Sequence, residues 1–379
     1  MVELMGPLCD HPTTRDEQSA GHQAATVSDM QMRLMITTVR DEAPFILEWI
    51  AYHRLIGFTD FLIYSNDCTD GTDAILDRLM SLGVVTHVPN ARTGKKTVQW
   101  QALSRARDHE MTRRAEWIMV ADLDEFLVIH PGDGHLDDLF TTVPDADGFA
   151  IPWRLFGNSG RLLFEPGLVI EQFTRAAPED LIWPWRAIQF KSLFRRYQEF
   201  VRLGVHRPRI EPQALDKSKW VDGNGASFRL SEKTFHLDKK HKYGVAQINH
   251  YSVGSAESFL AKAARGRPNR MHLPIDLGYW VERNFNDVED RRILRHVDAV
   301  RAEVISLLTD AELSELHEQG IVARRTRIVE QLRSEHSFTL FTHLAQSPGT
   351  VALSPEIQIS FLRGGPLPRE VGTPTGATS

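Results

Sequence analysis

Three carboxylates interrupt one of the most apolar stretches of the chain, WIMVADLDEFLVI (residues 117–129), at Asp122, Asp124 and Glu125. In an extended chain, side chains two residues apart share a face, so Asp122 and Asp124 point together while Leu123 points the other way. Carboxylates held that close repel unless one takes up a proton or a cation lies between them. A hard divalent ion, Mg²⁺ or Mn²⁺, resolves the repulsion, and it completes its shell with waters and substrate phosphates. The structural alternative is that the two acids cap a turn or pair with arginines. Asp-x-Asp is too short to decide this alone.

The elements that position these acids follow from the patterning. Order starts at MRLMITTV (32–39), a β-branched apolar strand. A helix follows to Gly57, with Asp41 as its expected cap and Pro44 in its first turn. Strands FTDFLIYS (58–65), VVTHV (84–88) and EWIMVA (116–121) alternate with helices, the last of these reading as one helix over 97–114. This alternation predicts a parallel, Rossmann-like sheet flanked by helices, which binds ligands beyond the carboxyl ends of its strands. The polar clusters Arg40–Glu42, Asn66–Asp73 and Asp122–Glu125 all fall at such ends.

Beyond about residue 150 the rhythm changes to shorter strand-like pieces, GFAIPW and GLVIEQF among them, and residues 186–242 carry fourteen Lys or Arg against six acids. VAQINHY (245–251) reads as a strand leading to a helix capped by Ser255, and a TDAE capping box begins at Thr309. The expected organisation is a flexible arm over 1–30, a catalytic domain over 31–285, a helical extension over 286–345 and a loose tail over 346–379.

Composition narrows the class. A net charge of −6 argues against a nucleic-acid footprint. Two cysteines, Cys9 and Cys68, supply neither a disulfide framework nor a thiolate zinc site. The N-terminus lacks a secretory pattern and no run approaches a membrane span, so a cytoplasmic protein is expected, with peripheral contact to the inner face of a membrane open to it. TGKKT (93–97) lacks the first glycine of a phosphate-binding loop, since position 89 is Pro.

Taken in order, TTVRDEAPFILEWIAYHRLIGFTDFLIYSNDCTDGT, ADLDEF, IPWRLFGNSG, GVHRPR and QINHYSVGSAESFLAKAARGRPNR resemble the family 2-type glycosyltransferases of the type A fold. The likeness is greatest to a bacterial branch related to the family 92 enzymes, and it spans about residues 32–290. It implies a sugar-nucleotide donor, a UDP-sugar first, a Mn²⁺ or Mg²⁺ cofactor, and a glycan or glycolipid acceptor, as in polysaccharide biosynthesis. By this resemblance Thr38, Arg40, Glu42, Asn66, Asp67 and Asp70 hold the base and ribose, Asp122 lies near the ribose or metal, and Asp124 is the principal metal ligand. The first motif departs from many relatives, which have Asn where this chain has Asp41.

The remaining candidates carry alternatives. His250 alternates with Ile248 and Ala246, the pattern of a core histidine, while the resemblance makes it a metal or diphosphate ligand, with His206 next. Lys191 and Arg207 could hold the diphosphate or belong to a solvated basic surface. The basic end AARGRPNR (263–270) suits an anionic acceptor or acidic lipid. FGNSG (156–160) is a tight turn or a loop approaching the donor sugar. A base for an inverting transfer must be a carboxylate near the acceptor hydroxyl, with Asp180 and Glu179 ahead of Glu165 and Asp222. A nucleotidyltransferase and a non-catalytic glycan- or protein-binding relative are the competing readings. The first is disfavoured because TTVRDEAPF has no glycine.

Overall fold

Four apolar runs form parallel strands: β1 (Arg33–Val39), β2 (Asp60–Ser65), β3 (Thr86–Pro89) and β4 (Trp117–Val120). Helices α1 (Ile46–Leu55), α2 (Thr72–Ser81) and α3 (Val98–Arg107) connect them. Such strands are covered on both faces, which explains runs such as LMI and FLIY with no polar alternation. The computed structural model describes residues 31–365 apart from 95, 197–199, 232–233, 235–236, 238–242 and 267–274. The chain divides into units Met1–Gln31 and Met32–Ser379, and the fold belongs to the second. The expected arm, residues 1–30, lies outside the described residues, as do Arg267–Arg270 of the basic segment.

Five more strands complete one mixed sheet: β5 (Glu125–Ile129), β6 (Gly148–Leu155), β7 (Phe190–Arg195), β8 (Trp220–Asp222) and β9 (Ala246–His250). Its order is β3-β2-β1-β4-β7-β6-β9-β5, with β8 alongside β6. β7 runs antiparallel to β4 and β6, and β5 antiparallel to β9. Only residues 121–124 join β4 to β5, although three strands separate them in the sheet. At about 4.8 Å per strand a flat sheet would hold them ~19 Å apart, beyond the roughly 17 Å that five extended steps reach. The sheet therefore curls, and the Asp122–Asp124 link bridges the mouth of the curl.

β5 is an edge strand, and α1 closes that edge with side chains. Trp49 Nε1 donates to the Glu125 carbonyl at 2.9 Å, Tyr52 OH donates to the Leu127 carbonyl at 2.7 Å, and the Leu127 N–H donates to His53 Nε2 at 3.4 Å. These bonds explain why α1 is buried almost all round: its polar atoms are spent on the sheet.

The C-terminal part is helical, with α4 (Ala256–Arg265), α5 (Val297–Leu307), α6 (Ala311–Leu332), α7 (Glu335–Gln346) and α8 (Pro355–Leu362). α5 packs on α1, and α6 reaches back to α2 and to the exit of β1. Arg324 Nη2 donates to the Asp41 carbonyl at 2.8 Å and Arg327 Nη1 to the Asp41 carboxylate at 2.7 Å. Gly320 lies so close to Ala43 that a Cβ there would stand 2.4 Å from the Ala43 Cβ. Among the described residues no helix is long and apolar enough to cross a membrane.

Several sequence expectations change. Asp41 does not cap α1; it has a positive φ of 54° and its carboxylate accepts from the Thr69 N–H at 2.7 Å. Residues 97–114 break into α3 and a short helix Glu110–Arg114, which the His109 ring caps. GLVIEQF holds a helical turn, Val169–Gln172, whose first N–H groups bond the buried Glu48 carboxylate. Asp310 rather than Thr309 caps α6, and Arg78 holds Asp310 in place. Ser255 caps α4 as expected. The stretch read as a loose tail contains α8, whose Gln358 Oε1 accepts from the Ile182 and Trp183 N–H groups at 2.7 and 3.0 Å.

Candidate active site

The carboxyl ends of β1, β2 and β4 border one cavity of about 270 Å³. Of the residues singled out in the sequence, Thr38, Arg40, Glu42, Asn66, Asp67, Asp122, Asp124, His206 and His250 line it. They come together because parallel strands end on one side of the sheet and because β9 carries His250 opposite Glu125.

The acids are not in an extended segment. The Glu125 N–H donates to the Asp122 carbonyl at 3.1 Å, closing a turn, so Asp122 and Asp124 face the cavity through turn geometry. Glu125 points the other way, fully buried, with the Asp122 N–H donating to its Oε2 at 2.9 Å.

Two lysines serve the three acids. Lys191 Nζ lies 3.0 Å from Asp122 Oδ2 and 2.9 Å from Glu125 Oε2 and is wholly buried. Lys262 Nζ, from α4, lies 2.6 Å from Asp124 Oδ2. Burial pushes the Asp124 carboxyl up, but the Lys262 ammonium and the His250 ring outweigh it and hold it well below the carboxylate range. Burial pushes Glu125 up to about 8, Lys191 opposing and the two neighbouring acids adding to the rise. Burial lowers Lys191, yet Asp122 and Glu125 reverse this and keep it protonated.

His250 stands against Trp153, ring centres 4.3 Å apart, with Nε2 3.7 Å from Asp124 Oδ1, too far for a hydrogen bond. Burial pushes the ring down to about 3, so it is neutral near pH 7, and its buried Nδ1 has no hydrogen-bond partner among the described residues. His206 Nδ1 donates to the Phe190 carbonyl at 3.0 Å, which leaves Nε2 as the proton-accepting nitrogen.

Other expected site residues lie elsewhere. Asp70 is spent on structure: it accepts from the Thr72 N–H at 3.0 Å to start α2 and from the Ala43 N–H at 3.0 Å. Lys191 does not face the cavity, because the two acids enclose it. Arg207 lines a neighbouring groove and donates to the Thr234 carbonyl at 2.7 Å. Glu179 bonds Arg154 at 3.0 Å and Arg292 at 2.5 Å, and neither it nor the exposed Asp180 lines the cavity. Glu165 pairs with Arg161, and Asp222 caps its own turn. In the FGNSG loop the Asn158 and Ser159 N–H groups donate to the side chains of Asn284 and Asn286 and the Gly157 N–H to the Arg175 carbonyl, so it is a structural turn.

Sequence reasoning missed Gln99, Arg186, Lys262, Tyr279 and Arg283, all in the cavity wall, and held Arg265, which joins them, only within the basic end AARGRPNR. The three-residue spacing of Lys262 and Arg265 on one face of α4 was the available signal, and Arg265 is fixed by Glu42 at 2.5 Å. Gln99 donates to Asp122 at 3.1 Å.

A glycosyltransferase family 92 model matches residues 36–257. A glycosyltransferase family 92 protein of Oryza sativa subsp. japonica is 30% identical over 238 residues, 60% of this chain and 34% of the relative. The chain thus spans about a third of that relative's length. Among solved structures, S. aureus TarS 1–349 is 14% identical with a TM-score of 0.29, over 88% of this chain and 92% of that one. The WbbM bifunctional glycosyltransferase in its apo form is 15% identical with a TM-score of 0.22, over 34% of this chain and 24% of that one. With the family model spanning more than half of its residues, the chain belongs to glycosyltransferase family 92.

Proposed function

We propose that the cavity holds a nucleotide-sugar donor, a UDP-sugar first, and that the chain transfers the sugar to a hydroxyl acceptor with inversion by direct displacement. The observation that carries this reading is that the Asp122 and Asp124 carboxylates, beyond the end of β4, share the cavity with Lys262 and Arg265 of α4. That combination suits a diphosphate with its counter-ion and no simple anion or sugar alone. The exposed Asp67 carboxylate in the cavity wall suits the ribose hydroxyls.

The donor set fits a divalent cation. Asp122 and Asp124 offer carboxylate oxygens, and His250 offers a neutral imidazole. Among the described residues no three acidic, histidine or cysteine side chains form a complete metal cluster, so diphosphate oxygens and waters would finish the shell. A bound ion supplies Lewis-acid neutralisation of the departing diphosphate. Lys262 and Arg265 add fixed positive charge at the same place, in a partly enclosed site where it counts for more than in water. In place of the carboxylate expected from the sequence, His206, which lines the cavity, is the group assigned here to take the proton of the incoming hydroxyl.

The test is a calorimetric titration of UDP with and without Mn²⁺, on wild type and Asp124→Ala. Metal-dependent binding lost in the variant supports the donor site and directs a screen of UDP-sugars, with the product anomer read by NMR. If UDP, GDP and dTDP all fail to bind, the acids and lysines are a structural network and the reading falls.

A further inference from the structure

β9 ends at His250, and the chain then turns through YSVGS (251–255) into α4. The Tyr251 N–H donates to the Asp124 carbonyl at 2.8 Å, and Gly254, with a φ of 61°, makes the reversal. The helix brings Lys262 back to Asp124 at 2.6 Å and Arg265 back to Glu42 at 2.5 Å. Between this turn, the helix and the start of α1 lies a side chamber of about 70 Å³. It shares Glu42, Leu123, Asp124, Lys262 and Arg265 with the 270 Å³ cavity, so the two ion pairs belong to a common wall. Beyond that wall the lining is mostly apolar, with Phe45, Phe126, Phe173, Tyr251 and Val253, and it includes two hydroxyls, Ser252 and Ser258. Ser252 is wholly buried, and its Oγ has no hydrogen-bond partner among the described residues. A buried hydroxyl left unpaired is costly, so one in the wall of a chamber marks a place for a polar group that arrives from outside.

We infer that the chamber takes the substituent at C2 of the donor sugar, and that this substituent is an acetamido group. The inference rests on the donor reading above, which sets the diphosphate beside Asp124, Lys262 and Arg265. A sugar hung from that diphosphate has its anomeric carbon next to the common wall, and C2 is one bond further on. Size argues against a bare hydroxyl. At roughly 15 Å³ for each water-sized group, the chamber holds about four or five non-hydrogen atoms. An acetamido group fills that space, whereas a single oxygen would leave the faces of Phe126 and Phe173 without contact. Polarity argues against a plain alkyl group, which would leave Ser252 Oγ unpaired. In an acetamido group the carbonyl accepts from the Ser252 hydroxyl and the methyl packs on the apolar lining. Its N–H has the Glu42 and Asp124 carboxylates of the common wall as acceptors.

The experiment titrates the full chain, with Mn²⁺ present, against UDP, UDP-glucose, UDP-galactose, UDP-N-acetylglucosamine and UDP-N-acetylgalactosamine. Calorimetry reads each Kd. Each acetamido sugar differs from its parent hexose only at C2, so the ratio of the two affinities isolates the chamber. At least one acetamido sugar should bind ~10-fold or more tighter than its parent. Ser252→Ala should cut that ratio by ~3–10-fold, the loss expected for one hydrogen bond. Ser258→Leu should fill the chamber and bring the ratio to about 1. Among the described residues neither serine lines the nucleotide cavity, so UDP is the control and should bind wild type and both variants alike. Ser252→Ala removes one oxygen and keeps the test open if Ser258→Leu fails to fold. Parent sugars that bind as tightly as their acetamido forms, or a ratio that Ser252→Ala leaves unchanged, overturn the inference while the donor reading stands. Failure of UDP and of all its sugars to bind refutes the UDP-sugar reading and takes the inference with it.

Discussion

Lys262 Nζ donates to Asp124 Oδ2 at 2.6 Å and to the Ser252 carbonyl at 2.8 Å, so the ammonium is anchored to the backbone as well as to the acid. A lysine in that position competes with a cation for Asp124 and at the same time presents positive charge to a diphosphate. Lys262→Met is therefore expected to act in opposite directions on two titrations. Mn²⁺ alone should bind tighter, by roughly 10-fold, and UDP with Mn²⁺ should bind weaker by a similar factor, each about 1.4 kcal/mol. Calorimetry on both ligands separates this from general damage, which would weaken both.

Among the described residues Lys191 is the cation paired with the buried Glu125, and Asp122 shares it. Lys191→Met should destabilise the fold by about 3–5 kcal/mol, because the buried Glu125 carboxyl loses its ammonium partner. Adding Glu125→Gln should recover part of that loss. Urea unfolding of the single and double variants checks the recovery, and its absence would mean that Lys191 acts through packing alone.

The pH dependence follows from His53. Burial pushes its ring down to about 3, the bond to the Trp49 carbonyl opposing only in part. An unfolded histidine titrates near 6.5, so between those values the unfolded chain takes up a proton that the folded chain refuses. Stability from this residue is whole above pH ~6.5 and is lost as pH falls, at about 1.4 kcal/mol per pH unit. His53→Leu should be weaker than wild type at pH 8, with the Leu127 N–H unpaired, yet lose less stability between pH 6.5 and 4.5. Chemical unfolding at stepped pH gives both slopes, and parallel slopes would contradict the burial argument.

Gly320→Ala sets helix propensity against packing. Alanine favours a helix by about 1 kcal/mol over glycine. Here its Cβ would stand 2.4 Å from the Ala43 Cβ, so α6 must move off the β1 exit, at about 1–3 kcal/mol. A net loss of stability in thermal unfolding is expected, and a gain would show that α6 is free to shift.

What could be read in the sequence, and what could not, divides along chain separation. The strands β1 to β4 and the Ser255 cap were legible because period, β-branching and capping are local signals. So was the gathering of Thr38, Arg40, Asn66, Asp67, Asp122 and Asp124, since parallel strand ends share one side of a sheet. Lys262 and Lys191 were not legible as partners of the acids, because 138 and 69 residues separate the paired side chains. Asp70 misled for a related reason: a capping aspartate and a ligand aspartate look alike in TDGT, and only the Ala43 N–H behind it shows which it is. The polar tips of Trp49, Tyr52 and His53 close the edge of β5, a pairing of which helical spacing carries no sign.

Arg324 and Arg327 fasten the Asp41 turn from a helix that is made almost three hundred residues later. A ribosome delivers β1, β2 and β4 long before α6, so the nascent sheet spends most of its synthesis with Asp41 unfastened and the Ala43 surface bare. Contacts of such sequence separation form late and slow the final folding step. A chain cut short before α6 should therefore resemble a stalled intermediate, sheet in place and β1 exit loose, and it should depend on holding chaperones in proportion to that exposed seam.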